Sequence, residues 1–271
     1  MRKKLLNIVG VIWMDELKLR YIKTSQLAED ALKLIKYLPA ECAGIVGIPR
    51  SGFSVASILA SICHLPLFEL TECGPVQLGN GFRGHRSFGT GFPVLPGKYF
   101  VVDDSSHNGG SIQKARKQME GYPAIFGVVY ALSPDTVDIH VEQVDSPHLF
   151  EWNIWNNGLI PGMAQDPALR GGMCFDFSCF CDKEGNPRYL PRMLEIPLAF
   201  SDDRKNNNQQ WLDKWQIRVK RLVFNVNKAV VYRESKCCFM LNYEKEESKQ
   251  IADTAKKPVI CVKEGIIYDG K

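Results

Sequence analysis

Apolar positions fall into two rhythms along the chain. Over residues 27–38, Leu27, Ala31, Leu34, Ile35 and Leu38 recur at the spacing of one helix face, and Pro39 marks its end. Beyond that helix lie short, nearly unbroken apolar runs at residues 43–48, 66–70, 99–102 and 124–132, with a further strand at 137–144. Continuous runs of this length suit strands covered on both faces. Between the first two runs, the turn Pro49-Arg50-Ser51-Gly52 opens a second helix over residues 53–63. Strand, turn, helix, strand in this order predicts right-handed crossovers and a parallel sheet. A second α/β series begins after residue 171. It has strands at 172–177, 219–224, 237–241 and 258–262, and helices at 207–215 and 245–256.

Two stretches break the rhythm. Residues 146–171 hold Pro147, Asn156-Asn157-Gly158, Pro161-Gly162 and Pro167, the signals of a seam. They divide the chain into an expected domain over residues 1–150 and another over 151–271. Residues 74–97 carry seven glycines and three prolines together with Arg83, His85 and Arg86, and read as one long mobile loop.

Composition narrows the class. With 271 residues, 45% of them hydrophobic and 24% charged, the chain can bury real cores and is not disordered. A formal net charge of +4 is too small to indicate a nucleic-acid partner. The nine cysteines are odd in number, include the adjacent Cys237 and Cys238, and sit largely in apolar runs. That pattern predicts reduced, buried thiols in a cytoplasmic protein. Arg2-Lys3-Lys4 and the apolar residues after them imitate a signal peptide. Asn7 interrupts the run and Asp15-Glu16 ends it without a small-residue cleavage site, so the segment is expected to fold. No run approaches the ~18 apolar residues of a spanning helix.

The most informative stretch is Val101-Val102-Asp103-Asp104-Ser105-Ser106-His107-Asn108-Gly109-Gly110-Ser111. An apolar strand ends in two carboxylates, and a small polar loop leads into a helix. Amides at a helix N-terminus favour a phosphate, and glycines let it approach the backbone. Adjacent carboxylates suit a vicinal diol. A site with both parts fits a ribose 5-phosphate group, whereas the bland reading is a strand-turn-helix with a solvated acidic pair.

This stretch resembles the phosphoribosyl-diphosphate (PRPP) motif of type I phosphoribosyltransferases. The resemblance implies that Asp103 and Asp104 hold the ribose 2- and 3-hydroxyls. It also implies that Ser106, His107, Asn108, Gly109, Gly110 and Ser111 cradle the 5-phosphate. His107-Asn108 stands where the family favours threonines. Gly47-Ile48-Pro49-Arg50-Ser51-Gly52 resembles the same family's pyrophosphate loop, which makes Arg50, Ser51 and Gly52 the expected diphosphate contacts. The intervening loop resembles the family's closing loop, with Arg83 as a candidate for stabilising the leaving group. Residues 1–26 are candidates for the hood that recognises the acceptor base.

Residues 172–182 (GMCFDFSCFCD) resemble the first motif of haloacid-dehalogenase (HAD)-like hydrolases, and later segments match the tail of a bacterial family that fuses the two domains. The implied fold is therefore α/β, a parallel-sheet type I phosphoribosyltransferase fold followed by a smaller HAD-like domain. Asp176 keeps the nucleophile position, and Ser201 and Lys228 match the phosphate-binding hydroxyl and lysine. Ser178 replaces the second carboxylate, Cys179 the glycine, and Asn242 the later acidic ligand, so a phosphatase is not expected. The Cys174, Cys179 and Cys181 spacing is not that of a structural zinc site, and buried thiols are expected there.

Together these resemblances imply a cytoplasmic, PRPP-dependent phosphoribosyltransferase acting on an unidentified base, with Mg²⁺ bound alongside PRPP and an inactive HAD-like appendage. Its partners would be small molecules, with a homo-oligomer or larger complex possible, and no membrane. The alternative is a non-catalytic PRPP- or nucleotide-sensing regulator, or an effector subunit of a bacterial complex such as an antiphage system.

Overall fold

The computed structural model describes residues 20–78, 96–145, 148–152, 173–190, 195–202, 207–237 and 239–270. The chain divides into two compact units. One is Thr24–Asp145, and the other combines Met1–Lys23 with Ser146–Lys271. The described part of the N-terminal segment is a short strand, β1 (Arg20–Ile22), which lies with the second unit.

The Thr24–Asp145 unit begins with α1 (Thr24–Leu32) and continues through β2 (Cys42–Gly47), α2 (Gly52–Cys63), β3 (Leu67–Thr71) and β4 (Gly74–Gln77). It ends with β5 (Lys98–Ser106), α3 (Gly110–Gln118), β6 (Ala124–Ala131) and β7 (Ile139–Gln143). The sheet order is β4-β3-β2-β5-β6-β7, parallel except for the β3–β4 pair. The chain therefore runs outward from β2 on one side, then crosses back and runs outward from β5 on the other. Open α/β sheets bind ligands at the carboxyl ends of the two strands flanking such a reversal.

Both faces of this sheet are covered, as the unbroken apolar runs require. Val46, Phe68, Val101, Phe126 and Val128 pack with Ile112, Ala115 and Met119 of the α3 region. On the other face Phe100 and Gly127 meet Leu34, which lies just past α1. A buried polar knot ties α1 to β6. Asp30 is 2% exposed, and its carboxylate accepts from the Tyr130 hydroxyl at 2.6 Å, from Gln26 at 3.0 Å and from Lys33 at 2.6 Å. At the far edge Asp138 accepts from Arg116 at 2.6 Å and from the Phe126 amide at 2.8 Å.

The second unit adds β8 (His148–Phe150), parallel to β1, and then β9 (Met173–Asp176), β10 (Glu195–Ile196), β11 (Leu198–Ser201) and α4 (Asn207–Lys214). β12 (Arg218–Val219), β13 (Leu222–Phe224), α5 (Lys228–Glu234), β14 (Phe239–Asn242), α6 (Lys245–Ala255), β15 (Val259–Cys261) and β16 (Ile266–Tyr268) complete it. Its main sheet has the order β13-β11-β9-β14-β15-β16, parallel apart from the β15–β16 pair. This is a doubly wound order with its reversal between β9 and β14. Side chains alternate between two cores. Phe175, Leu241 and Ile260 pack with Leu212 of α4, while Cys174, Met240 and Val259 pack with Tyr232 of α5 and Ile251 of α6.

Several expectations need correction. Residues 74–77 belong to an edge strand, β4, rather than to the long loop. β5 runs through Ser106, because its ladder with β6 continues to the Ser106–Ala131 pair, so the acidic pair lies inside the strand. The strand expected over 219–224 is two, β12 and β13. Helix α5 has no counterpart among the expected elements, being too short to show a period. The eight described cysteines are free thiols, and Cys174 and Cys179 face different cores. Among the described residues no helix is long and apolar enough to cross a membrane.

Burial opposes ionisation of Asp30, but the bonds from Lys33, Tyr130 and Gln26 outweigh it and hold the carboxyl below its ordinary range. Such a group stabilises the fold above the unfolded carboxylate pKa, and that stability is lost as pH falls through the lower folded value. Tyr130→Phe removes one donor and is expected to cost about 1–3 kcal/mol in urea unfolding. It should also flatten the acid limb of the stability–pH curve.

Candidate functional site

The site forms where β2 and β5 end side by side. After β2 the chain turns through Pro49, Arg50 and Ser51 and enters α2 at Gly52; the Pro49–Arg50 peptide is cis. The turn is drawn against β5, with the Ile48 amide donating to the Val102 carbonyl at 3.0 Å. At Gly52 the approach is closer still. A Cβ there would fall 2.6 Å from the Val102 oxygen and 2.7 Å from Asp103 Oδ1. Only glycine lets α2 begin at that distance.

Asp103 and Asp104 are 6% and 5% exposed. Asp103 Oδ1 accepts the Asp104 amide at 2.9 Å, and Asp104 Oδ1 accepts the Ser105 amide at 2.7 Å. Ser51 does not cap its own helix, and its hydroxyl lowers the Asp104 pKa. Burial, together with the Asp104 charge, pushes the Asp103 carboxyl well above its ordinary range. Burial also raises Asp104, against bonds from Asp103, Ser51 and Ser105. His107 is held toward its neutral form by burial, with Asp104 pulling the other way.

Past β5 the turn is short. Gly109 takes φ 78° ahead of α3, and Gly110 donates its amide to Asn108 Oδ1 at 3.2 Å. The first amides of α3 have no intrahelical acceptor. One residue of this loop's surroundings carried no sequence signal. Thr136, in the 3-10 turn Pro134–Thr136 after β6, touches Ser106 Oγ at 3.0 Å. A threonine after a strand has no distinguishing pattern, and only the fold shows where it points.

The structure thus brings Arg50, Ser51, Gly52, Asp103, Asp104, Ser106, His107, Asn108, Gly109, Gly110 and Ser111 to one end of one sheet. Arg50 lies exposed on the turn. Arg83, His85 and Arg86 lie outside the described residues.

The second unit has its own polar cluster, also at carboxyl strand ends. Asp176 ends β9, Ser201 ends β11, Asn242 ends β14 and Lys228 opens α5. The Lys228 ammonium lies 2.7 Å from Asp176, 2.9 Å from Asp202 and 2.7 Å from Glu247. Asn242 donates to Glu247 at 2.9 Å, and Asn208 donates to the Ser201 hydroxyl. Ser178 donates both its amide, at 2.9 Å, and its hydroxyl to Asp176. Burial lowers the Lys228 pKa, but Asp176, Glu247 and Asp202 hold it above the ordinary lysine range. Burial raises Asp176, opposed by Lys228 and Ser178. Among the described residues no group of three or more His, Cys, Asp or Glu side chains is arranged to hold a metal ion.

A scan of protein-family models and a search of curated proteins return no match. Solved structures that overlap about half of the chain include several phosphoribosyltransferases. A purine phosphoribosyltransferase from Pyrococcus horikoshii shares 19% identity over 50% of this chain and 94% of its own, with a TM-score of 0.33. The orotate enzyme of Aeropyrum pernix shares 21% over 45% and 71%, also at 0.33. The xanthine-guanine-hypoxanthine enzyme of Helicobacter pylori shares 14% over 49% and 93%, at 0.36. Superposition this loose supports no argument, and the functional reading stands on the residues of this chain.

A carboxyl with a raised folded pKa destabilises the fold as pH rises from the unfolded value, about 4, through the folded one. Asp103→Asn removes that charge. At pH 7 it is expected to melt above the parent, the difference closing toward pH 4, in a thermal scan across pH.

Proposed function

We propose that the Thr24–Asp145 unit binds PRPP and transfers its phosphoribosyl group to a nitrogen acceptor. The observation that carries this reading is the junction at the sheet reversal, where Gly52 of one strand-end turn presses directly on Val102 and Asp103 of the next. A buried acidic pair that costs stability yet is held by specific donors is the pattern of a binding group. A carboxylate offers roughly four acceptor positions, so each aspartate retains capacity for a ribose hydroxyl.

In the proposed reaction the acceptor nitrogen attacks C1 of the ribose as the bond from C1 to the diphosphate oxygen breaks. The bonding electrons leave with the diphosphate, and the nitrogen gives up its proton. The protein contributes position and charge rather than a covalent intermediate. Arg50 would meet the leaving diphosphate, with Arg83 as its counterpart from the loop. Paired carboxylates next to a substrate diphosphate are the donor set that suits Mg²⁺, and Asp103 and Asp104 would face the ion. The bound ion supplies charge neutralisation on the diphosphate.

A second reading is a PRPP sensor without turnover, favoured by His107-Asn108 standing where the resembled family has threonines. Diphosphate release from PRPP and Mg²⁺ with a panel of nitrogenous bases separates the two readings. Release with one base supports the transferase; tight PRPP binding with no release supports the sensor. In either case Asp103→Asn combined with Asp104→Asn is expected to weaken PRPP binding at least about tenfold by calorimetry, given the loss of charged acceptors. Unchanged affinity would remove the ribose assignment.

The second unit we read as HAD-like without hydrolase activity. Ser178 stands where a second carboxylate would act and bonds Asp176, while Lys228 is surrounded by three carboxylates. Phosphate release from p-nitrophenyl phosphate with Mg²⁺ is expected to be no higher for the parent than for Asp176→Ala.

A further inference from the structure

We infer that Thr136 is the positioning residue of the turn after β5, fixing the main-chain groups that would receive the 5-phosphate, a role that rests on the PRPP reading above. Thr136 lies thirty residues from Ser106 in sequence and approaches the turn from the connection between β6 and β7.

Proton ownership sets the direction of its contacts. The Thr136 hydroxyl donates to the Ser133 carbonyl at 2.7 Å. A hydroxyl has a single proton to give. The 3.0 Å contact between Thr136 Oγ1 and Ser106 Oγ is therefore one in which Ser106 donates. Ser106 thus uses its proton within the protein, and its side chain braces the turn instead of donating to an anion. The Ser106 carbonyl is engaged as well, accepting the Leu132 amide at 2.8 Å.

Thr136 also seats the other end of the turn. Gly109 has φ 78°, and a Cβ added there would fall 2.7 Å from Thr136 Cβ and 2.8 Å from its Cγ2. One side chain therefore meets both Ser106, where the strand ends, and Gly109, where α3 is capped. The amides of Gly109 and Ser111 inherit their direction from these two contacts, while that of Gly110 is also held by Asn108 Oδ1. The hydroxyl relay from Ser106 through Thr136 to Ser133 sets the first of them, and the threonine's carbon atoms set the second.

The test compares Thr136→Val, which keeps the shape and removes the hydroxyl, with Thr136→Ser, which keeps the hydroxyl. PRPP affinity is read by calorimetry, and amide hydrogen exchange is read at residues 109–112 against that of α2. Thr136→Val is expected to weaken PRPP about tenfold and to speed exchange at 109–112 alone, the scale of one lost buried hydrogen bond. Thr136→Ser keeps the relay and the Cβ contact and loses only Cγ2, so its loss should be clearly smaller than that of Thr136→Val, within about threefold of the parent. If Thr136→Val fails to fold, Ser106→Ala breaks the same relay from its other end and should show the same loss. Parent-like affinity and exchange in Thr136→Val would overturn the inference. So would equal losses in both threonine variants, which would make the residue simple packing. If the parent does not bind PRPP at all, the PRPP reading fails, and the exchange data alone decide whether Thr136 fixes the turn.

Discussion

Everything at the first sheet's edge depends on a distance that only a hydrogen atom permits. At Gly52 the start of α2 presses on the Val102 carbonyl and the Asp103 carboxylate with no room for a methyl group. Without that approach the turn after β2 and the acidic end of β5 would be neighbouring features of a sheet. With it they become one polar surface, pressed together at Gly52. The cost is evident in the carboxyls, both of which burial makes reluctant to ionise, Asp103 the more so beside the Asp104 charge. Strain of this kind survives when the rest of the unit can carry it, and here two fully covered faces do.

The two units solve the same topological problem with opposite electrostatics. Each is a parallel-dominated sheet with a strand-order reversal, and each gathers polar side chains at the carboxyl ends beside it. In the first unit the like charges of Asp103 and Asp104 sit side by side and repel. In the second, Lys228 occupies the middle and contacts Asp176, Asp202 and Glu247.

Much of this was legible in the letters because burial leaves a strong imprint. The runs at 43–48, 99–102 and 124–132 had to be covered strands, and Pro49–Gly52 marked the turn into the next helix. The strand length of β5 was not legible. Two aspartates and two serines read as loop, yet the ladder with β6 carries them, since backbone pairing is indifferent to side-chain polarity. Short elements such as α5 and β8 leave too few residues to show a period. Thr136 was invisible because its role is a meeting of two segments thirty residues apart, and no local pattern encodes such a meeting. The sites of Asp176, Ser201 and Lys228 were readable as separate motifs, but the ring of carboxylates around Lys228 was not, because Asp202 and Glu247 belong to no motif.

The turn after β5 is shaped by a hydroxyl relay and presents peptide groups, with Ser106's own proton turned inward. A turn that presents main chain is almost anonymous. Substitution can rewrite residue 107 and leave the same outline behind, because its side chain is not asked to supply the donors. Divergence at such a place erases lettering faster than it erases shape, so a binding surface of this construction can outlive the signature by which it would ordinarily be found.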